Sequence, residues 1–176
     1  MKTSLWENRG LGAASIVLAA ALALFAIGPA KTKGVAKQAQ TYYATEMAAD
    51  FAAREQAAGS LLGLAADADV ADSLLTAANG ALAASQAATT PAGRYQAGVA
   101  LKTNVELVYN SLPADMRDNK GSPAQMAWAE FTSRTAILSH IIPEYNARAA
   151  AAQDKLSGFP GAMMAQIAGV SVEEMA

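Results

Sequence analysis

The chain has 176 residues, a formal net charge of −2 and no cysteine. Its length fits one domain plus an anchor. The charge balance, with no clustered Lys/Arg face, excludes a nucleic-acid-binding surface, because phosphate neutralisation needs grouped cations. The missing cysteine excludes disulfides, thiolate chemistry, zinc–thiolate sites and a bacterial lipoprotein anchor.

Residues 1–10 form a short tail carrying Lys2, Arg9 and Trp6, and an indole there suits the headgroup layer of a bilayer. Leu11 to Ile27 (LGAASIVLAAALALFAI) is an uncharged, mainly apolar run. As a helix it spans about 26 Å, close to the hydrocarbon thickness, and extension through Ala30 gives a full crossing. The expectation is an uncleaved transmembrane anchor over 11–30. The competing reading is a cleaved signal peptide, with Gly28-Pro29-Ala30 as a cut site. Lys31, Lys33 and Lys37 then form the membrane flank, read as a stop-transfer cluster in preference to a binder of anionic lipid. Cations are nearly balanced across the span, so the side is weakly determined; we take the bundle to face away from the cytoplasm.

Hydrophobic residues make up 53% of the chain, much of it alanine, the strongest helix former. Pro29 and Gly34 suggest a kink on leaving the membrane. The first bundle helix is expected over 35–64, with Tyr43, Met47, Phe51, Ala58 and Leu61 at helical spacing and Glu46, Arg54 and Glu55 off that line. Asp67 to Asp69 reads as a turn and N-cap region before a second stripe of Val70, Leu74, Leu75, Ala78, Leu82 and Ser85. Thr90 caps a third helix with Pro91 at its first position, and its stripe is Tyr95, Val99, Leu101, Val105, Val108 and Leu112. A polar loop, PADMRDNKGSP, follows. Ser122 and Pro123 then open the longest helix, expected to Ser157. Its buried face is Trp128, Phe131, Thr135, Leu138, Ile142, Tyr145, Ala149, Ala152, Leu156 and Phe159. Glu130–Arg134 and Glu144–Arg148 are i,i+4 pairs on its exposed side. Pro143, inside this helix, should bend it. The fold expected is all-α: an N-terminal transmembrane helix continuing into an antiparallel up-down four-helix bundle over 31–160. A short amphipathic tail, 161–176, folds back onto it.

The C-terminal stretch resembles the LemA family. That family's signature is a Tyr-Asn pair, a second pair seven residues on, Phe-Pro after seven more, and a Gly-aromatic ending. Here stand Tyr145-Asn146, then Phe159-Pro160, then Ala165 and Gly169 at the expected offsets. Ala152-Gln153 replaces the second pair and Val170 the final aromatic. Tyr109 to Pro113 loosely matches the family's Tyr-Pro turn, and the family's Leu-Pro-Asn-Leu segment is not recognisable. The clear match covers about 30 residues, so the chain reads as a divergent member. The resemblance implies a single-pass protein of the bacterial inner membrane, helical, with no settled molecular activity. Spacings of seven return side chains to one helix face, so the signature itself reads as packing. Asn146, beside the seam, is placed to bond a neighbouring helix.

Catalytic and cofactor chemistry finds little support. The single histidine, His140, lacks the Glu-x-x-His partner of a di-iron bundle and reads as a surface or partly buried residue. Serine-hydrolase and phosphate-loop patterns are missing. Glu46 with Asp50, and Asp67 with Asp69, read as solvated faces and turn caps; Asp115, Asp118 and Asn119 lack the EF-hand pattern. No catalytic residue, metal ligand or cofactor is assigned. The expectation is a membrane-tethered scaffold or interaction protein, its partners the bilayer and a protein or a second copy of itself. A self-assembling, pilin-like subunit and a small-ligand sensor bundle are the alternatives.

Overall fold

The computed structural model describes residues 31–158 and 160–176, and every regular element among them is a helix. Among these residues no helix is long and apolar enough to cross a membrane. The anchor expected over 11–30, Trp6 and Phe159 lie outside the described residues.

Helix α1 covers residues 31–66. It is α-helical to residue 42, takes one π turn at Tyr43–Met47, and continues as Ala48–Ala66. Ala39, Tyr43, Met47 and Phe51 follow at steps of four, whereas a regular helix has about 3.6 residues per turn. A run of fours therefore drifts around the cylinder. One wider turn takes up the drift and leaves Ala39, Met47 and Phe51 fully buried. The helix starts earlier than the expected Val35, because Gly34 sits inside it without breaking it. Gly59 and Gly63 are likewise carried in its interior. Each glycine costs about 1 kcal/mol relative to alanine, and the buried Ala57, Ala58, Leu61, Leu62 and Ala65 offset that.

After a turn at residues 67–69, α2 spans Asp72–Ala87. The expected aspartate cap is not made: Ala71 holds the cap position and no side chain bonds there. Asp69 instead takes a positive φ of 56°, which short polar side chains tolerate better than most. Helix α3 spans Pro91–Ser111 and opens as expected, with Thr90 Oγ1 accepting the Gly93 amide at 3.1 Å. Its buried line is Gly98, Leu101, Val105, Val108 and Leu112, alternating threes and fours. Val99 falls outside that rhythm and is 52% exposed, against the sequence expectation. The polar loop holds one helical turn, α4, at Ala114–Arg117.

Helix α5 spans Pro123–Leu156, about 51 Å long. Ser122 accepts the Gln125 amide at 3.1 Å and donates to the Met116 carbonyl, fixing loop and helix start together. Pro143 lies within it with its ring exposed. It cannot donate to the Ser139 carbonyl, which is also on the exposed side, where water can take over. Asp50 meets Arg134 at 2.7 Å, while Tyr42 meets Glu144 at 3.1 Å. Rising numbers on α1 thus meet falling numbers on α5, so the two long helices run antiparallel. Helices α2 and α3 pack on each other, and α1 touches both.

Helix α6, Gly161–Ala168, ends in a Schellman arrangement. Gly169 has φ 63°, its amide donates to Gln166, and the Val170 amide donates to Ala165 at 3.0 Å. The chain beyond turns back onto the bundle and places Met175 in its core; Met164 of α6 is also buried.

The core has two compartments. One gathers Leu61, Leu62, Leu101, Val105, Val108 and Phe131. The other gathers Met47, Phe51, Leu138, Tyr145, Ala149 and Met175. Between them on α1 lie Arg54 and Glu55.

Candidate functional site

Arg54 and Glu55 are only 6% and 4% exposed, although the sequence reading set both off the buried line. They stand three and four residues after Phe51, on the same helix face. Helix α1 is covered by α5 on one side and by α2 and α3 on the other, so its buried arc is wider than one stripe. Burying two ionised groups is costly unless each is paired and hydrogen-bonded.

Glu55 is well provided for. Its Oε1 accepts from Ser85 Oγ at 2.6 Å and from Arg94 Nε at 2.9 Å, and its Oε2 accepts from Arg94 Nη2. Arg94 uses its remaining nitrogen on Tyr43 Oη at 3.2 Å. One cluster therefore joins α1, its π turn, α2 and α3. Burial alone would push the Glu55 carboxyl upward. The hydrogen bonds from Arg94 and Ser85, with the charges of Arg94 and Arg54, outweigh it and hold the carboxyl below its ordinary value. Hydrogen bonds to Glu55 and Tyr43 hold Arg94 protonated more firmly still, against a smaller opposing effect of burial.

Arg54 is different. Its Nε and Nη2 are buried and have no hydrogen-bond partner. The guanidinium carbon lies 5.2 Å from the centre of the Phe51 ring, a favourable but modest contact. Burial and the neighbouring Arg94 charge lower its proton affinity, only partly offset by Glu55. The nitrogen Nη2 lies against Gly98, where an added Cβ would come within 2.1 Å of it and force the guanidinium to move. Beside this group is a cavity of about 310 Å³ between α1, α3 and α5. Its lining includes Arg54, Tyr95, Gly98, Lys102, Ser139 and Ile142.

The residues singled out by the C-terminal motif serve the tail. Tyr145 is buried, its ring edge meeting Tyr43 at 6.4 Å. Its hydroxyl donates to the Glu173 carbonyl at 3.2 Å, and burial raises its pKa. The sequence places Asn146 to bond a neighbouring helix, but it bonds the C-terminal tail instead. Its Nδ2 donates to the Met175 carbonyl at 2.9 Å and its Oδ1 accepts the Met175 amide at 2.8 Å. Gln153 adds a bond to the Val172 carbonyl at 2.8 Å. The tail runs alongside α5 and takes those partners before any helix can. Ala152 is buried, as is Tyr145 seven residues before it; the third position of that spacing, Phe159, lies outside the described residues. Pro160 precedes α6, and Ala165 and Gly169 form its end.

Elsewhere the structure separates what the sequence grouped. Lys31, Lys33 and Lys37 are all exposed along the start of α1. His140 is exposed. Asp50 pairs with Arg134, and Asp118 with Arg117. Among the described residues no group of three or more His, Asp or Glu side chains is placed to hold a metal ion. Compared with protein-family models, curated proteins and solved structures, the chain matches none.

Proposed function

We propose that the chain is a non-catalytic, membrane-tethered interaction module of the LemA type. Residues 11–30 anchor it in the bacterial inner membrane and continue into an up-down four-helix bundle facing away from the cytoplasm. The observation that carries this reading is the stretch of α1 that follows the apolar run. Residue 31, directly after the apolar run, is already helical, and helix continues to residue 66 with Lys31, Lys33 and Lys37 exposed. A helix formed from the first residue past the run suits a bundle held at a set height above the bilayer.

The surface suits a protein partner or a second copy. Apolar side chains stand exposed at Val99 and Leu107 on α3 and at Met126 and Ile137 on α5. A shallow groove between α1 and the start of α5, lined by Ala53, Ala57, Met126 and Ala127 among others, adds to this. Aliphatic surface of this kind is what an interface core uses.

The test is topological. The chain has no cysteine, so Lys120→Cys in the exposed loop before α5 is a background-free probe that spares the Ser122 cap. An impermeant maleimide should label it in intact cells. Labelling only after lysis would place the bundle in the cytoplasm and contradict the proposed orientation.

A further inference from the structure

We propose that the cavity between α1, α3 and α5 is a binding site for a small organic carboxylate with a short apolar body, and that Arg54 is its recognition residue. The inference concerns the bundle alone and holds whether or not the chain is anchored.

Two observations meet at this site. The first is the unpartnered pair of donors. The N–H groups of Nε and Nη2 lie side by side on one edge of a guanidinium and point the same way. That edge is the fork that accepts both oxygens of a carboxylate. Among the described residues it has no acceptor, although Arg54 is only 6% exposed. Glu55, the nearest carboxylate in sequence, is committed to Arg94 and Ser85.

The second observation is the space beside it. At about 310 Å³ the cavity sits at the small end of ligand sites. Among the described residues no carboxylate lines it, its cations are Arg54 and Lys102, and Leu138 and Ile142 offer apolar wall. Lys102 is exposed and stands at the rim, where it draws anions in. Arg54 at the base, a second cation at the mouth and mainly apolar walls between them fit a monocarboxylate better than a phosphate, whose extra charge would lie against Leu138 and Ile142.

The fork is sealed from solvent in the closed packing, with Nη2 against Gly98. Binding therefore includes a turn of the guanidinium about its own side-chain torsions, from the glycine into the cavity. The ligand gives the cation the acceptor it lacks.

The experiment uses the full-length chain in a non-ionic detergent. Sodium benzoate is titrated while the ¹⁵N signal of Arg54 Nε is followed by NMR, with benzamide as the neutral control and inorganic phosphate as the competing anion. Benzoate is expected to shift the Arg54 Nε signal saturably and to raise the unfolding midpoint. Benzamide should bind at least about tenfold more weakly, because it lacks the second anionic oxygen. Arg54→Met removes the buried charge with little change of volume, so it is expected to fold and to lose the benzoate response. Lys102→Gln, a surface change that leaves the core intact, should weaken benzoate without abolishing it. Three results would overturn the proposal: no saturable shift at Arg54, an equal benzoate response in Arg54→Met, or a shift produced by phosphate and not by benzoate.

Discussion

Glu55 joins three helices of this molecule. Through Ser85 and Arg94 it ties α2 and α3 to α1, and through Arg94 it reaches the π turn at Tyr43. Glu55→Gln leaves Arg54 and Arg94 facing each other without their counter-ion. Breaking a buried pair in this way costs about 3 kcal/mol, and urea unfolding of the full chain should show a loss of that order. The same group makes stability depend on pH. Its folded-state pKa lies below the unfolded value, so its stabilisation is present above about pH 4.3 and fades as pH falls through the lower folded value. Glu55→Gln should flatten that acid limb. Glu144 is also held low, by hydrogen bonds from Arg148 and Tyr42, but it is exposed and solvent-screened, so most of the limb should belong to Glu55. This cluster was partly legible in the sequence. Ser85 fell on the expected stripe of α2, and Arg54 and Glu55 are placed three and four residues after Phe51. The sequence reading set them off a single narrow stripe, and the packing of α1 on both sides widens that stripe to include them.

At the scale of elements, caps read well and tertiary choices read poorly. Thr90-Pro91 and Ser122-Pro123 started α3 and α5 where the sequence put them, because an N-cap is a local hydrogen bond. The turn at Asp67–Asp69 was also local and legible, but its aspartates do not cap α2. Val99 was misassigned because an apolar residue was taken for a buried one, while Gly98 beside it keeps the rhythm of threes and fours. The C-terminal tail is the element held most by side chains of another. Asn146 grips both backbone groups of Met175, and Tyr145 and Gln153 hold Glu173 and Val172. Asn146→Ala removes two hydrogen bonds worth about 1 kcal/mol each. It should speed hydrogen exchange at Met175 well beyond any change in α3; unchanged exchange there would mean that burial of Met175 alone holds the tail. Gly169→Ala forces a Cβ into a left-handed conformation at φ 63°, and should cost about 1 kcal/mol in urea unfolding.

For the whole molecule, helical class and the number of long elements followed from alanine content and apolar spacing, both of which act along the chain. The antiparallel pairing of the long helices was expected from connection length and is visible in the crossed contacts of Asp50 with Arg134 and Tyr42 with Glu144. What the sequence could not display was the division of the core by a charged layer, since that depends on three helices meeting at one height. We propose that this bundle works while held at a membrane by the residues before it. The most direct test is carbonate extraction of cell membranes containing the full chain, beside a version beginning at residue 31. The full chain should stay in the pellet after the wash and the shortened one should not. Release of the full chain into the wash would contradict it.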